Sequence, residues 1–137
     1  MADLSITAAN VIADSSARLR TGTAGATITA GQIVYLDPTD NRYKLADCDS
    51  ATAAVRSPAG MALHGALSGQ PLTIAEGGPV ALGAILTAGV AYYLSPTAGG
   101  VCPVADLSAG DYPTILGIAS STSVLKLRIH EAGAVLA

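Results

Sequence analysis

The sequence contains one stretch of residues twice. Ile28–Asp47 reads ITAGQIVYLDPTDNRYKLAD, and Leu86–Asp106 reads LTAGVAYYLSPTAGGVCPVAD. With one extra residue placed in the second turn, the matching positions are Thr29/Thr87, Ala30/Ala88, Gly31/Gly89, Tyr35/Tyr93, Leu36/Leu94, Pro38/Pro96, Thr39/Thr97, Ala46/Ala105 and Asp47/Asp106. An Ala-rich composition alone does not keep so many identities in register, so the chain contains an internal duplication.

The repeated stretch has the pattern of a β-hairpin. Thr-Ala-Gly indicates a tight entry turn, because glycine takes positive φ at little steric cost. The β-branched and aromatic runs Gln32–Leu36 and Val90–Leu94 are typical of strands. Pro38-Thr39-Asp40-Asn41 and Pro96-Thr97-Ala98-Gly99-Gly100 then supply residues that favour chain reversal. Each copy is therefore predicted to form two antiparallel strands around a Pro-Thr turn.

A weaker match continues downstream of the hairpins. Gly60-Met61-Ala62 corresponds to Gly117-Ile118-Ala119, and a second set of matches follows at the two-residue period of a strand. That set pairs Leu72, Ile74, Glu76 and Gly78 with Leu127, Ile129, Glu131 and Gly133. Each unit then has about four strands, with Gly60–His64 pairing with Pro71–Glu76 and Thr114–Ser120 pairing with Val124–His130.

These patterns predict an all-β fold. We expect internally duplicated, small β-barrel or β-sandwich-like units with an extended N-terminal arm. The predicted segments are an arm at 1–24, a first β-unit at 25–78, a second β-unit at 79–133 and a tail at 134–137. The two units share one compact domain, since a chain of 137 residues fits a single core.

Composition suggests that much of the surface meets another protein. Charged residues make up 12% of the chain, against about 25% in typical domains. There is no Phe or Trp, so the core must be built from aliphatic residues and tyrosine. Freely diffusing proteins usually keep more surface charge for solubility. Self-association would bury additional apolar surface and so compensate for the small side chains of such a core.

Several function classes are disfavoured. The net charge of −3, with scattered basic residues, gives no basic stripe for nucleic acid. No apolar run reaches about 18 residues, so we expect no membrane span. The N-terminal stretch carries Asp3 and no basic region, which predicts synthesis in the cytoplasm without a signal peptide.

We find no catalytic or metal-binding motif and therefore predict no enzyme, no cofactor and no metal. His64 and His130 lack partners at ligand spacing. Cys48 and Cys102 form no C-x-x-C motif and are expected to be unpaired thiols. The acidic residues Asp37, Asp40, Asp47 and Asp49 would bind calcium only if their turn folded back to give six or more converging oxygens, and a solvated turn is favoured.

The pattern T-A-G-x-x-x-Y-L-x-P-T, then A-D, then G-[MI]-A, then alternating apolar residues ending in glycine, resembles the head decoration proteins of tailed bacteriophages, also called capsid cement or stabilising proteins. The resemblance covers Gly25–Gly133. It implies small β-rich subunits that bind the outer surface of the assembled head and stabilise its shell. The implied partners are the major capsid protein and further copies of the chain, with a homotrimer as first choice and a dimer as second. The implied location is the virion.

The first functional hypothesis is accordingly a structural capsid decoration protein. The alternative is a head-fibre or adhesin module that binds host-surface glycans. Glycan sites usually present aromatic platforms, for which the chain offers only Tyr35, Tyr43, Tyr92, Tyr93 and Tyr112.

The candidate partner-binding residues lie in the N-terminal segment, which has no counterpart in the sequence alignment of the two copies. Leu4 and Ile6 alternate with polar neighbours as in a strand, and two arginines precede a glycine-containing stretch. The segment either closes the first unit as a strand or adds to the sheet edge of another chain. If it reaches another chain, the residues predicted to contact the capsid or a neighbouring subunit are Leu4, Ile6, Val11, Ile12, Arg18 and Arg20.

Overall fold

Ten β-strands form most of the computed structural model, which describes residues 3–131 and residue 134. The strands are β1 (Ile12–Ala13), β2 (Arg18–Thr23), β3 (Ile33–Asp37), β4 (Arg42–Leu45), β5 (Gly60–Ala62), β6 (Pro71–Ala81), β7 (Ala91–Leu94), β8 (Val101–Pro103), β9 (Thr114–Ala119) and β10 (Val124–Glu131). Two short 3₁₀ turns, Ala8–Asn10 and Val104–Asp106, are the helical elements of the described residues. The all-β prediction is confirmed.

All ten strands belong to one curled antiparallel sheet. Its main path runs β4-β3-β5-β6-β10-β9-β7-β8, and β1 and β2 pair with β6 outside this path. The long strand β6 serves both halves: its first part, up to Gly77, pairs with β2 and β5, and its last part, Gly78–Ala81, pairs with β10 and β1. The first β-unit is therefore β2–β5 with the start of β6, and the second is the end of β6 with β7–β10.

The two units share their strand pairing, as the duplication predicts. In the hairpins, Leu36 lies opposite Tyr43 and Leu94 opposite Val101. In the next ladder, Ile33 faces Met61 in the first unit and Ala91 faces Ile118 in the second. The Thr-Ala-Gly turns also match, since Gly31 has φ 89° and Gly89 has φ 83°. The predicted pairs β5–β6 and β9–β10 are confirmed as well.

The extra residue of the second copy lies elsewhere than the sequence alignment placed it. Both Pro-Thr turns have the same length, and Asn41 (φ 57°) and Gly99 (φ 77°) occupy the same left-handed position in them. The insertion instead falls after β8, in the 3₁₀ turn Val104–Asp106. An extra residue within the turn would shift this left-handed position relative to the strands, and the two copies have turns of equal length.

The alignment of the last strand in each unit was wrong by four residues. Ile74 pairs with Ala62 and Leu125 pairs with Ala119, so Ile74 corresponds to Leu125 rather than to Ile129. Because a shift by four preserves the two-residue alternation of a strand, the sequence pattern could not distinguish the two alignments. The proposed match to Gly133 lies outside the described residues.

Strand β2 has a counterpart that the sequence did not reveal. Arg20 pairs with Ile74, and Val80 pairs with the equivalent Leu125. The end of β6 is thus the second-unit equivalent of β2, although the two share no sequence pattern. Residues 18–23 therefore form a strand that closes the first unit, which was one of the two roles considered for the N-terminal segment. The prediction of an arm over 1–24 is wrong for these residues.

The buried apolar residues form two hydrophobic clusters, of which the larger joins the two units. The smaller one lies inside the first unit and contains Val34, Tyr43, Leu72 and Ile74. The larger one combines the interior of the second unit with the opposite face of the first, which contributes Ile33, Tyr35 and Met61. Since alternate residues of β3 point into different clusters, its first three residues, Ile33–Tyr35, are buried on both faces.

Two glycines allow close strand packing at equivalent places in the units. A Cβ atom built on Gly60 would collide with the carbonyl oxygen of Ala75, and one built on Gly117 would collide with that of Lys126. These two carbonyls are equivalent in the duplicated ladders. The recurring Gly-Met-Ala and Gly-Ile-Ala motifs therefore mark positions where only glycine fits between adjacent strands.

We predict that Gly60→Ala and Gly117→Ala each lower the free energy of unfolding by about 1–3 kcal/mol, because the strands must move apart to accept a methyl group. Denaturant titration followed by circular dichroism measures the change. Gly65→Ala is the matched control, since its nearest neighbour atom would be 3.6 Å from the new Cβ. A control as destabilising as the two variants would show that the effect is not steric.

Candidate binding surfaces

The N-terminal segment folds back on the second unit. The Leu4 amide donates a hydrogen bond to the Val101 carbonyl (2.8 Å), at the position where the Gly25 amide bonds Tyr43 in the first unit. Ser95 Oγ donates to Asp3 Oδ1 at 2.7 Å. Strand β1 then pairs with the end of β6. The segment thus crosses from β8 to β6 and lines one side of the second unit.

Three of the six predicted partner-binding residues pack against the hydrophobic core. Leu4 and Ile6 are half-buried and pack against the larger hydrophobic cluster, and Val11 belongs to it with only 7% of its surface exposed. Their apolar spacing, which suggested a strand for another chain, is satisfied within this chain. The sequence predicted a free arm for these residues, whereas in the structure they pack on the chain's own core.

The other three residues remain at the surface. Ile12 is 63% exposed, and both arginines of β2 are exposed. Arg20 forms an ion pair with Glu76 at 3.6 Å, a type of exposed contact that contributes about 0–1 kcal/mol. Arg18 lies over Gly77. The predicted contacts of these three residues with a partner stay a prediction.

An apolar surface that the sequence analysis missed lies on the outside of the second unit. Ile118 is 54% exposed there, next to a groove of about 630 Å³ between β9 and β10. Its main apolar lining residues are Ile115, Ile118 and Ile129, and Lys126, Arg128 and His130 border it. Simple strand alternation would place Ile118 on the same side as the buried Leu116, but a register shift at Leu116 interrupts the alternation, so the sequence pattern does not reveal which side Ile118 takes.

The acidic residues considered for calcium separate into two groups. At the β3–β4 turn, Lys44 Nζ lies 2.7 Å from Asp37 Oδ2 and 3.1 Å from Asp40 Oδ2. The Lys44 hydrogen bond, with those from the Thr39 amide and hydroxyl, lowers the pKa of Asp37 to about 2. Asp47 and Asp49 interact separately, and burial of Asp47 raises its pKa. The Lys44 ammonium group therefore occupies the position that a bound calcium ion would take between Asp37 and Asp40.

A mixed group of possible metal ligands lies under the N-terminal segment. The ligand atoms of Asp3, Cys102 and Asp106 are within 4.8 Å of one another. Asp3 already accepts the Ser95 hydrogen bond. Burial raises the pKa of the Cys102 thiol to about 12, so that it is protonated at neutral pH. A thiolate ligand would first have to lose this proton.

Both cysteines are buried and free. Burial is the main cause that raises the pKa of Cys48 to about 12, as it does for Cys102. The thiolate is the reactive form of cysteine, so these side chains behave as small apolar core residues.

The two histidines have different surroundings. His64 Nε2 accepts the Thr73 amide at 3.0 Å, and its Nδ1 lies 2.9 Å from the Gly65 carbonyl, so the ring holds the start of the β5–β6 connection. His130 is exposed on β10, at the groove of the second unit. Neither histidine belongs to the metal-ligand group of the described chain.

No protein-family model matches the sequence, and a search of curated proteins gave no significant match. Within the described residues, no helix has the length and apolar character needed to span a bilayer.

We predict that Val11→Ala lowers the free energy of unfolding by about 1–2 kcal/mol, because it removes buried methyl groups and leaves a cavity. The neighbouring Ile12→Ala should change it by less than about 0.5 kcal/mol, since Ile12 is exposed. Thermal and denaturant unfolding of both variants measure the difference. Equal, small effects would show that the N-terminal segment is not packed on the second unit.

We predict that neither thiol reacts with iodoacetamide at pH 8 while the chain is folded, because both are buried and protonated. Unfolding in denaturant without reductant should expose both, so that mass spectrometry finds two added labels. Rapid labelling of the native protein would contradict the burial of the thiols, and an unlabelled denatured chain would reveal a disulfide.

Proposed function

We propose that the protein is a structural decoration protein of a tailed-bacteriophage head, which binds the outer surface of the assembled shell and stabilises it. The repeated Thr-Ala-Gly and Pro-Thr motifs support the proposal by their resemblance to that family. In the structure these motifs form the turns that define each β-unit. The protein acts through its surfaces, with the major capsid protein as its partner.

The observation that carries the proposal is the number of large apolar side chains left at the surface of a chain with few charges. More than half of the side-chain surface is exposed at each of five positions, Ile12, Leu19, Leu67, Val104 and Ile118. Two of them lie beside apolar grooves, Ile12 with Pro79 and Val124, and Ile118 with Ile115 and Ile129. Contiguous apolar surface of this kind usually marks a site that becomes covered by protein. A lattice of capsid subunits offers such cover on several sides of a small protein at once.

The exposed end of the N-terminal segment is the proposed shell-binding surface. Ile12 is exposed beside a shallow groove of about 450 Å³ that Pro79, Ala81 and Val124 also line. Arg18 and Arg20 lie nearby in the chain, at the surface of β2. Apolar contact in the groove would supply affinity, and the arginines would meet carboxylates at the rim of the interface.

The tyrosines give little support to the glycan-binding alternative. Tyr35, Tyr43 and Tyr92 are buried, so their rings cannot stack on a sugar. Tyr112 lies under the Arg56 guanidinium, 3.6 Å from the ring centroid, and so one face of this ring is occupied. Tyr93 is half-exposed and is the remaining platform.

We predict that the protein copurifies with intact phage heads in a fixed ratio to the shell subunit and that heads without it lose DNA at a lower temperature. Sedimented heads, analysed by quantitative mass spectrometry, give the ratio. Ile12→Asp should weaken head binding, because it introduces a charge into an apolar contact, whereas Ala51→Asp, at an exposed position without a large apolar side chain, serves as the control. Saturable binding to glycan arrays without binding to heads would favour the adhesin alternative.

A further inference from the structure

The two units of the chain contact each other through different surfaces. The Ile33 amide of the first unit donates to the Gly99 carbonyl at 3.0 Å, and the Gly99 amide donates to the Ala46 carbonyl at 2.7 Å. The Cys48 amide donates to the Ser95 carbonyl at 3.2 Å. The strand ends of the first unit thus meet the β7–β8 turn of the second. The arrangement is head-to-tail, not face-to-face.

This contact helps to bury one face of the first unit. Ile33 and Met61 have no exposed surface, and Tyr35 is nearly buried. All three belong to the hydrophobic cluster that also contains Leu94 of the second unit. The contact therefore has two sides: an apolar face on the first unit, and Leu94 with the adjoining turn on the second.

The equivalent apolar face of the second unit is uncovered. The residues at the positions of Ile33, Tyr35 and Met61 are Ala91, Tyr93 and Ile118. Ala91 and Tyr93 are half-exposed, and Ile118 is 54% exposed where Met61 is fully buried. We call this surface, Ala91, Tyr93, Ile115 and Ile118, the outer face.

The equivalent turn of the first unit is uncovered too. Leu36, at the position of Leu94, is 39% exposed where Leu94 is fully buried. Asn41, at the position of Gly99, is exposed where Gly99 is buried. Both halves of the contact between the units therefore recur in exposed form, the turn on the first unit and the apolar face on the second.

We propose that copies of this chain associate head-to-tail, with the Leu36–Asn41 turn of one copy bound to the outer face of the next. The contact within the chain would then be repeated between chains. Such a heterologous contact closes into a ring if its rotation permits and otherwise extends into a filament. The inference concerns contacts between copies and does not depend on capsid binding.

Sedimentation velocity tests the association at concentrations up to about 1 mM, which captures contacts of millimolar affinity. The wild-type protein should form oligomers. Ile118→Asp and Leu36→Asp should each weaken association by about 100-fold or more, because each buries a charge without a partner. Leu67→Asp, at an exposed position outside both surfaces, should associate like the wild type. A monomeric wild type would overturn the proposal.

A mixing experiment distinguishes the head-to-tail contact from a symmetric one. An Ile118→Asp copy retains its turn, and a Leu36→Asp copy retains its outer face, so an equimolar mixture should form a dimer that cannot grow further. If the two outer faces paired with each other, the mixture would contain no such mixed dimer, and the proposal would fail. Circular dichroism confirms that each variant is folded, and Ile118→Ser provides a milder second variant with the same expected direction.

Discussion

The pairing of β6 on both of its sides is the contact on which the rest of the structure depends. Its first part completes the first unit by pairing with β2 and β5, and its last part begins the second unit by pairing with β10 and β1. A single strand therefore belongs to both β-units of one sheet. The change of partners falls at Gly77-Gly78-Pro79, where Gly78 has φ 95° and no side chain obstructs the backbone of Ala17.

Sharing this strand explains why the two units, although similar in pairing, have different interiors. The first unit has its own small cluster around Val34, Tyr43 and Ile74. The second has its interior joined to the back of the first, so that one larger cluster spans both. The same alignment position can then be buried in one unit and exposed in the other, as Met61 and Ile118 are. Duplicated sequence gave duplicated pairing but not duplicated burial.

The hairpins were predictable because turn residues and strand alternation are local properties. Thr-Ala-Gly and Pro-Thr each act within a few residues, and their consequences appear in Gly31, Gly89, Asn41 and Gly99 as expected. The register of β10 was not predictable, because a shift of four residues leaves every side chain on the same face.

The candidate surfaces were harder to predict for a related reason. Leu4, Ile6 and Val11 had the spacing of a strand, but spacing does not say whether its partner is the same chain or another. Ile118 gave no signal as a surface residue, since its motif is shared with the buried Met61. The role of β2 was hidden because Arg18–Thr21 and Gly78–Ala81 have unlike side chains at equivalent backbone positions. In each case the decisive contacts join residues far apart in sequence.

The crossing of the N-terminal segment onto the second unit has a consequence for how the chain acquires its fold. The hydrogen bond between Asp3 and Ser95 joins residues separated by 92 positions, so Asp3 binds to a turn that is synthesised much later. Closing so long a loop carries an entropic cost before any contact repays it, and contacts of this kind slow folding. Until β7 and β8 have emerged, Val11 has no complete cluster to join. During synthesis the first unit can therefore assemble around β2 to β6 while the segment from Asp3 to Val11 remains undocked, and this segment docks only after the second unit has formed.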